Sequence, residues 1–107
     1  MKNIIILASG NGTNYHYITD CISQLGLDIN IVALVCNKAD ANVIKKAKDN
    51  KHRIIIKENK GLQRDRYDLE LVSDILNLNI KIDLVVLAGW MRILTSYFIN
   101  AFKNIIN

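Results

Sequence analysis

The sequence predicts an α/β fold, a mostly parallel sheet with helices on both faces. Ile4–Ala8 and Leu84–Ala88 are apolar throughout, as strands buried on both sides are. Between such runs the apolar residues change to helical spacing, and strand leads to helix each time. That βα repetition is the pattern of a Rossmann-like sheet. At 107 residues the chain holds one core and one domain, residues 1–107.

The first strand, Ile4–Ala8, ends at Ser-Gly. From Asn14 the residues Ile18, Cys21, Ile22 and Leu25 form one helical stripe, and Gly26 is placed to stop it. Ile29–Cys36, rich in β-branched residues, is the second strand, and Asn37–Asp40 a polar turn. Asp40 is the expected cap of a short helix with Val43, Ile44 and Ala47 inside. Arg53–Ile56 makes a third strand, followed by an exposed loop, Lys57–Gln63. A helix over Asp65–Asn77 buries Tyr67, Leu71, Val72, Ile75 and Leu78 and leaves Asp68, Glu70 and Asp74 wet. After the fourth strand, Gly89–Leu94 forms a loop, Thr95 caps a last helix bearing Phe98, Ile99 and Phe102, and Asn104–Asn107 opens a further strand.

Several function classes fall away. No apolar run reaches the roughly 18 to 20 residues of a membrane span. The short apolar N-terminus runs straight into a turn, so it reads as a strand rather than a secretion signal. Cys21 and Cys36 have neither metal-ligand spacing nor disulfide-scaffold density, which points to the cytoplasm and to no metal. The net charge of +4 comes with lysines scattered among Asn and Ile, without interleaved aromatics, so no nucleic-acid partner is expected.

In an open parallel sheet, ligands bind beyond the carboxyl ends of the strands. Two loops lie at that end, and a 3-2-1-4 strand order makes them neighbours. In Ser9-Gly10-Asn11-Gly12-Thr13-Asn14, glycines permit close backbone approach and free amides at a helix start attract an anion. An ordinary tight turn explains the same glycines nearly as well. Tyr15 stands where a dinucleotide fingerprint needs its third glycine, and a Walker ending is absent. Arg64 is suited to a carboxylate, with a solvated arginine or a pair with Asp68 as the plainer reading. Trp90–Leu94 places apolar groups at the functional edge, either lining a pocket for a flat ligand or filling core. His16 and His52, with no carboxylate or cysteine at a helpful spacing, are assigned surface roles.

Four ordered motifs together resemble the folate-dependent phosphoribosylglycinamide formyltransferases of purine synthesis. They are Ser9–Asn14, Cys36–Ala41, Arg64 with Tyr67, Asp68 and Glu70, and Leu87–Leu94. The resemblance implies that Gly12, Thr13 and Asn14 bind the phosphoribosyl part of glycinamide ribonucleotide. It implies that Arg64 meets the glutamate carboxylate of 10-formyltetrahydrofolate, and that the backbone of Met91, Arg92, Ile93 and Leu94 holds its pterin. Trp90 replaces the usual Phe or Tyr.

The family motif Asn-Ile-His-Pro-Ser is matched only as far as Asn107. In the family the asparagine amide stabilises the oxyanion of a tetrahedral intermediate while a histidine and an aspartate move protons. The resemblance therefore makes Asn107 the one catalytic residue present, also beside the formyl donor, and the chain the amino-terminal half of such an enzyme, truncated before the histidine. An inactive remnant that keeps the phosphoribosyl turn is the competing expectation. A half-sheet ending in its fifth strand is expected to self-associate through its exposed edge.

Overall fold

A computed structural model describes residues 1–107. Five strands form one sheet: β1 (Lys2–Ala8), β2 (Ile29–Cys36), β3 (Ile54–Ile56), β4 (Leu84–Leu87) and β5 (Ile105–Ile106). Their order is β3-β2-β1-β4-β5 and every pairing is parallel. The expected order is thus extended by one edge strand, and "mostly parallel" becomes wholly parallel. Four helices connect them: α1 (Thr13–Leu25), α2 (Asn42–Asp49), α3 (Arg64–Leu76) and α4 (Ser96–Ala101).

Alternation along the strands divides the interior into two layers, because successive side chains point to opposite faces. Ile4, Ile6 and Ala8 pack with Tyr15 of α1 and Val43, Ile44 and Ala47 of α2. Ile5 and Leu7 face the other way, onto Tyr67, Leu71 and Ile75 of α3 and onto Phe98 and Phe102. Strand order reverses at β1, whose two neighbours lead to helices on opposite faces. The crevice of this fold therefore opens beyond the carboxyl ends of β1 and β4.

Helix ends and faces differ from expectation at several points. Ala41, not Asp40, precedes the first residue of α2, and no side chain caps it. Leu25, Cys21 and Ile99 are exposed rather than buried, because α1 and α4 rest on the sheet through narrower stripes. In α1 the main anchor is Tyr15, fully buried, with Ile18 and Ile22 beside it. Gly26 does end α1, at a left-handed φ of 60° with its N–H on the carbonyls of Ile22 and Ser23.

Candidate functional site

The turn after β1 enters α1 through Gly12, whose φ of 82° lies in the left-handed region. No side chain caps the first turn of α1, and no acidic residue stands in it. The Thr13 and Asn14 amides thus begin a helix whose positive dipole end is uncompensated. Neighbouring contacts fix the turn from behind: the Gly10 carbonyl accepts from the Val43 N–H at 3.1 Å, and Asn11 Oδ1 accepts from Asn42 Nδ2 at 3.0 Å.

Ser9 plays a different part from its neighbours in that motif. It is 1% exposed, its N–H donates to the Gly89 carbonyl at 3.1 Å, and its Oγ accepts from the Met91 N–H at 2.9 Å. The loops that follow β1 and β4 are therefore latched together across the β1–β4 pair. The Met91 N–H is thereby engaged within the chain, while its carbonyl accepts no backbone hydrogen bond. The backbone groups of Arg92, Ile93 and Leu94 form no hydrogen bonds within the chain.

Arg64, Met91, Arg92 and Ile93 line one cleft with Asn59, of about 260 Å³. Four of the residues assigned to the formyl donor are thus brought together from α3 and the β4–α4 loop. Leu94 is not among them; it packs into the core beside Phe98, as its plainer reading had it. The Arg92 guanidinium lies over the Tyr67 ring, 3.5 Å from its centroid, and its Nε is buried without a partner. The Tyr67 hydroxyl donates to the Lys57 carbonyl at 2.5 Å, tying the loop that carries Asn59 to α3.

Asp68, assigned to the wet face of α3, is 2% exposed. It does not pair with Arg64. Its Oδ2 accepts from the Thr95 N–H at 2.8 Å and from the Thr95 hydroxyl at 2.7 Å. Thr95 indeed precedes α4, yet its side chain faces Asp68 instead of capping the helix. Glu70 is held by Lys57 and Arg66 at 2.6 and 3.0 Å, which keeps its carboxyl below the usual range.

A second hollow of about 270 Å³ joins two more of the assigned positions, with Asn14 and Asn107 on its wall beside Tyr17, Val86, Ala88 and Ile106; Gly12 and Thr13 do not line it. Asn107 follows β5 directly and so lies at the carboxyl end of the strand beside β4. The Ser9–Asn14 turn, the Arg64 cleft and Asn107 share the same edge of the sheet.

His16 keeps the surface role assigned to it, and His52 does not. His16 stands one helical turn before Asp20, 3.3 Å away on the surface, a carboxylate at the i+4 spacing that the sequence reading passed over. His52 is half-buried and its Nδ1 shares a hydrogen bond of 2.5 Å with the Tyr15 hydroxyl, to which Asn50 Nδ2 also donates at 3.2 Å. Burial holds the His52 pKa below its ordinary 6.5. Below that pH the unfolded chain takes up a proton that the folded chain resists, so stability should fall as pH drops from about 6.5. Urea midpoints measured between pH 7.5 and 5 should decline for the wild type and less so for His52→Gln. The depressed carboxylates of Glu70 and Asp83 titrate in a separate, more acidic window.

The profile described as Formyl transferase matches residues 2–107. The chain belongs to the formyl transferase family. A phosphoribosylglycinamide formyltransferase of Dictyostelium discoideum is 35% identical over 95% of the chain and 53% of its own length. That of Escherichia coli is 36% identical over 92% of the chain and 46% of its length. The chain therefore spans about half the length of the curated relatives it matches. Among solved structures, the Coxiella burnetii phosphoribosylglycinamide formyltransferase superposes with a TM-score of 0.86 at 33% identity, covering 98% of this chain and 49% of that one. A glycinamide ribonucleotide transformylase from Geobacillus kaustophilus reaches 0.89 at 27% identity, covering 98% and 56%.

Proposed function

We propose that this formyl transferase chain supplies the ligand-binding half of a phosphoribosylglycinamide formyltransferase, acting in the cytoplasm in purine biosynthesis. The observation that carries the reading is the convergence of the uncapped α1 N-terminus, the Arg64 cleft and Asn107 on one sheet edge. The family membership and the names of its relatives support the substrate, glycinamide ribonucleotide.

Each share of the work follows from the chemistry of the residues. Gly12, Thr13 and Asn14 bind the phosphoribosyl group, the amides and helix dipole meeting the phosphate and the side chains of Thr13 and Asn14 donating to oxygens. The donor, 10-formyltetrahydrofolate, fits a cleft that holds two arginines and no acidic residue. Arg64 pairs with its carboxylate and the free backbone groups of Arg92, Ile93 and Leu94 with its heterocycle. When bound, the donor supplies the formyl group that the substrate amine attacks. The Asn107 amide donates to the oxyanion that develops on that carbon. Proton transfer falls to a histidine and an aspartate that match no position within residues 1–107.

Calorimetric titration of the chain with glycinamide ribonucleotide should give saturable binding that inorganic phosphate competes away. Absence of binding to the chain would overturn the reading. Arg64 is exposed, so Arg64→Ala should weaken tetrahydrofolate binding by about tenfold, without changing ribonucleotide affinity.

We also propose that copies of the chain associate edge to edge. The outer side of β5 is unpaired, Ile106 on it is half exposed, and an apolar groove of about 350 Å³ lined by Ile18, Ile22, Leu84, Val86 and Ile106 adjoins it. Sedimentation should show concentration-dependent dimers that Ile106→Lys suppresses; a monomer at every concentration contradicts this.

A further inference from the structure

We infer that Asp68 is a positioning residue for the donor cleft, pinning the far end of the β4–α4 loop so that Arg92, Ile93 and Leu94 present their backbone groups in one arrangement. The inference rests on the proposed function for its ligand, and on geometry alone for its mechanism. Arg64, Tyr67 and Asp68 stand at i, i+3 and i+4 of α3 and therefore share one helix face. Arg64 lines the cleft, the Tyr67 ring supports Arg92, and Asp68 accepts both donors of Thr95.

Apart from the Arg92 stacking and the core packing of Leu94, the loop is held by hydrogen bonds at its near end alone, where Ser9 latches Gly89 and Met91. Between those two fixed points lie three residues whose N–H and C=O groups have no partner in the chain. A loop fixed at both ends, with only its middle unsatisfied, is pre-organised for a hydrogen-bonding ligand and loses little freedom on binding it. The carboxylate suits this task because both its bonds to Thr95 are charge-assisted, and burial keeps water from competing for them.

Trp90, the single tryptophan, stands inside the loop and reports on it. In Asp68→Ala, acrylamide quenching of Trp90 should rise about twofold and tetrahydrofolate affinity should fall about tenfold, as expected for unpairing a buried charge-assisted bond. Ribonucleotide affinity should stay within about twofold, since the α1 turn does not touch Asp68. Asp68→Asn, whose amide oxygen can still accept both Thr95 donors, should recover most of the loss. Thr95→Val, which deletes one of the two bonds, gives the same readout if Asp68→Ala does not fold. Unchanged quenching, or equal loss of both affinities, overturns the inference. If the wild-type chain binds no tetrahydrofolate, the functional reading fails and the quenching comparison alone decides the positioning role.

Discussion

Gly12→Ala is expected to destabilise the chain by about 2–4 kcal/mol and to weaken ribonucleotide binding at least tenfold. Two independent costs combine at this residue. A side chain at φ 82° is strained by about 1–2 kcal/mol wherever it stands. Here the new Cβ would also lie 2.8 Å from Val43 Cγ2, 2.9 Å from Val43 Cβ and 3.1 Å from the Val43 Cα. Val43 is itself fully buried, so it cannot swing aside. The turn must shift instead, and the amides of Thr13 and Asn14 shift with it.

Two comparisons separate the strain from the clash. Gly12→Ala combined with Val43→Ala removes the Cγ2 contact but leaves those to Cβ and backbone, so, measured against Val43→Ala alone, the added cost of Gly12→Ala should shrink without vanishing. Gly10→Ala meets nothing within 4 Å, and its φ is not positive, so its change should stay within about 0.5 kcal/mol. Urea denaturation and calorimetry read both. Equal behaviour of the two glycines would show that the turn has no special geometry and would remove the main support for a phosphate site there.

What the sequence made legible, and what it hid, divides along the range of the interactions. The strand and helix order follows from local apolar periodicity, and Gly26 and Thr95 mark helix ends because termini are written in neighbouring residues. Asp68 was misplaced, and the bonds of Ser9 and Tyr15 were not foreseen, because their partners, Thr95, Met91 and His52, stand 27, 82 and 37 residues away. No spacing rule connects such pairs, since only the β1–β4, α1–α2 and α3–α4 contacts bring them together. Asp68 shows the difficulty best, because a carboxylate in an acidic helical stretch reads as solvated until the loop above it closes the site. The cleft residues Arg64 and Met91–Ile93 were reached through motif resemblance, and the shared cleft itself follows from α3 and β4 meeting at one sheet edge.

Tyr67→Ala should produce the largest loss of all, about 3–5 kcal/mol, a substantial part of the roughly 5–15 kcal/mol that holds a domain folded. The ring is fully buried on the sheet's second face, carries Arg92, and bonds the Lys57 carbonyl, so its removal opens a cavity and frees both walls of the Arg64 cleft. Tyr67→Phe keeps the ring and the cation above it, and should lose only about 1–2 kcal/mol through the unpaired carbonyl. Alkaline titration distinguishes these roles further. Burial raises the Tyr67 pKa to about 12 from 10.0, despite the opposing charge of Arg92. The folded chain keeps a proton that the unfolded chain releases, so this contribution is whole below pH 10 and is lost as pH rises toward about 12. Tyr15, also raised by burial, adds to the same limb from the opposite face. Urea midpoints from pH 9 to 11.5 should therefore fall less steeply in Tyr67→Phe than in the wild type, yet still fall. Parallel curves for the two proteins would mean that the Tyr67 hydroxyl reaches solvent, and that the Lys57 loop is not tied to α3.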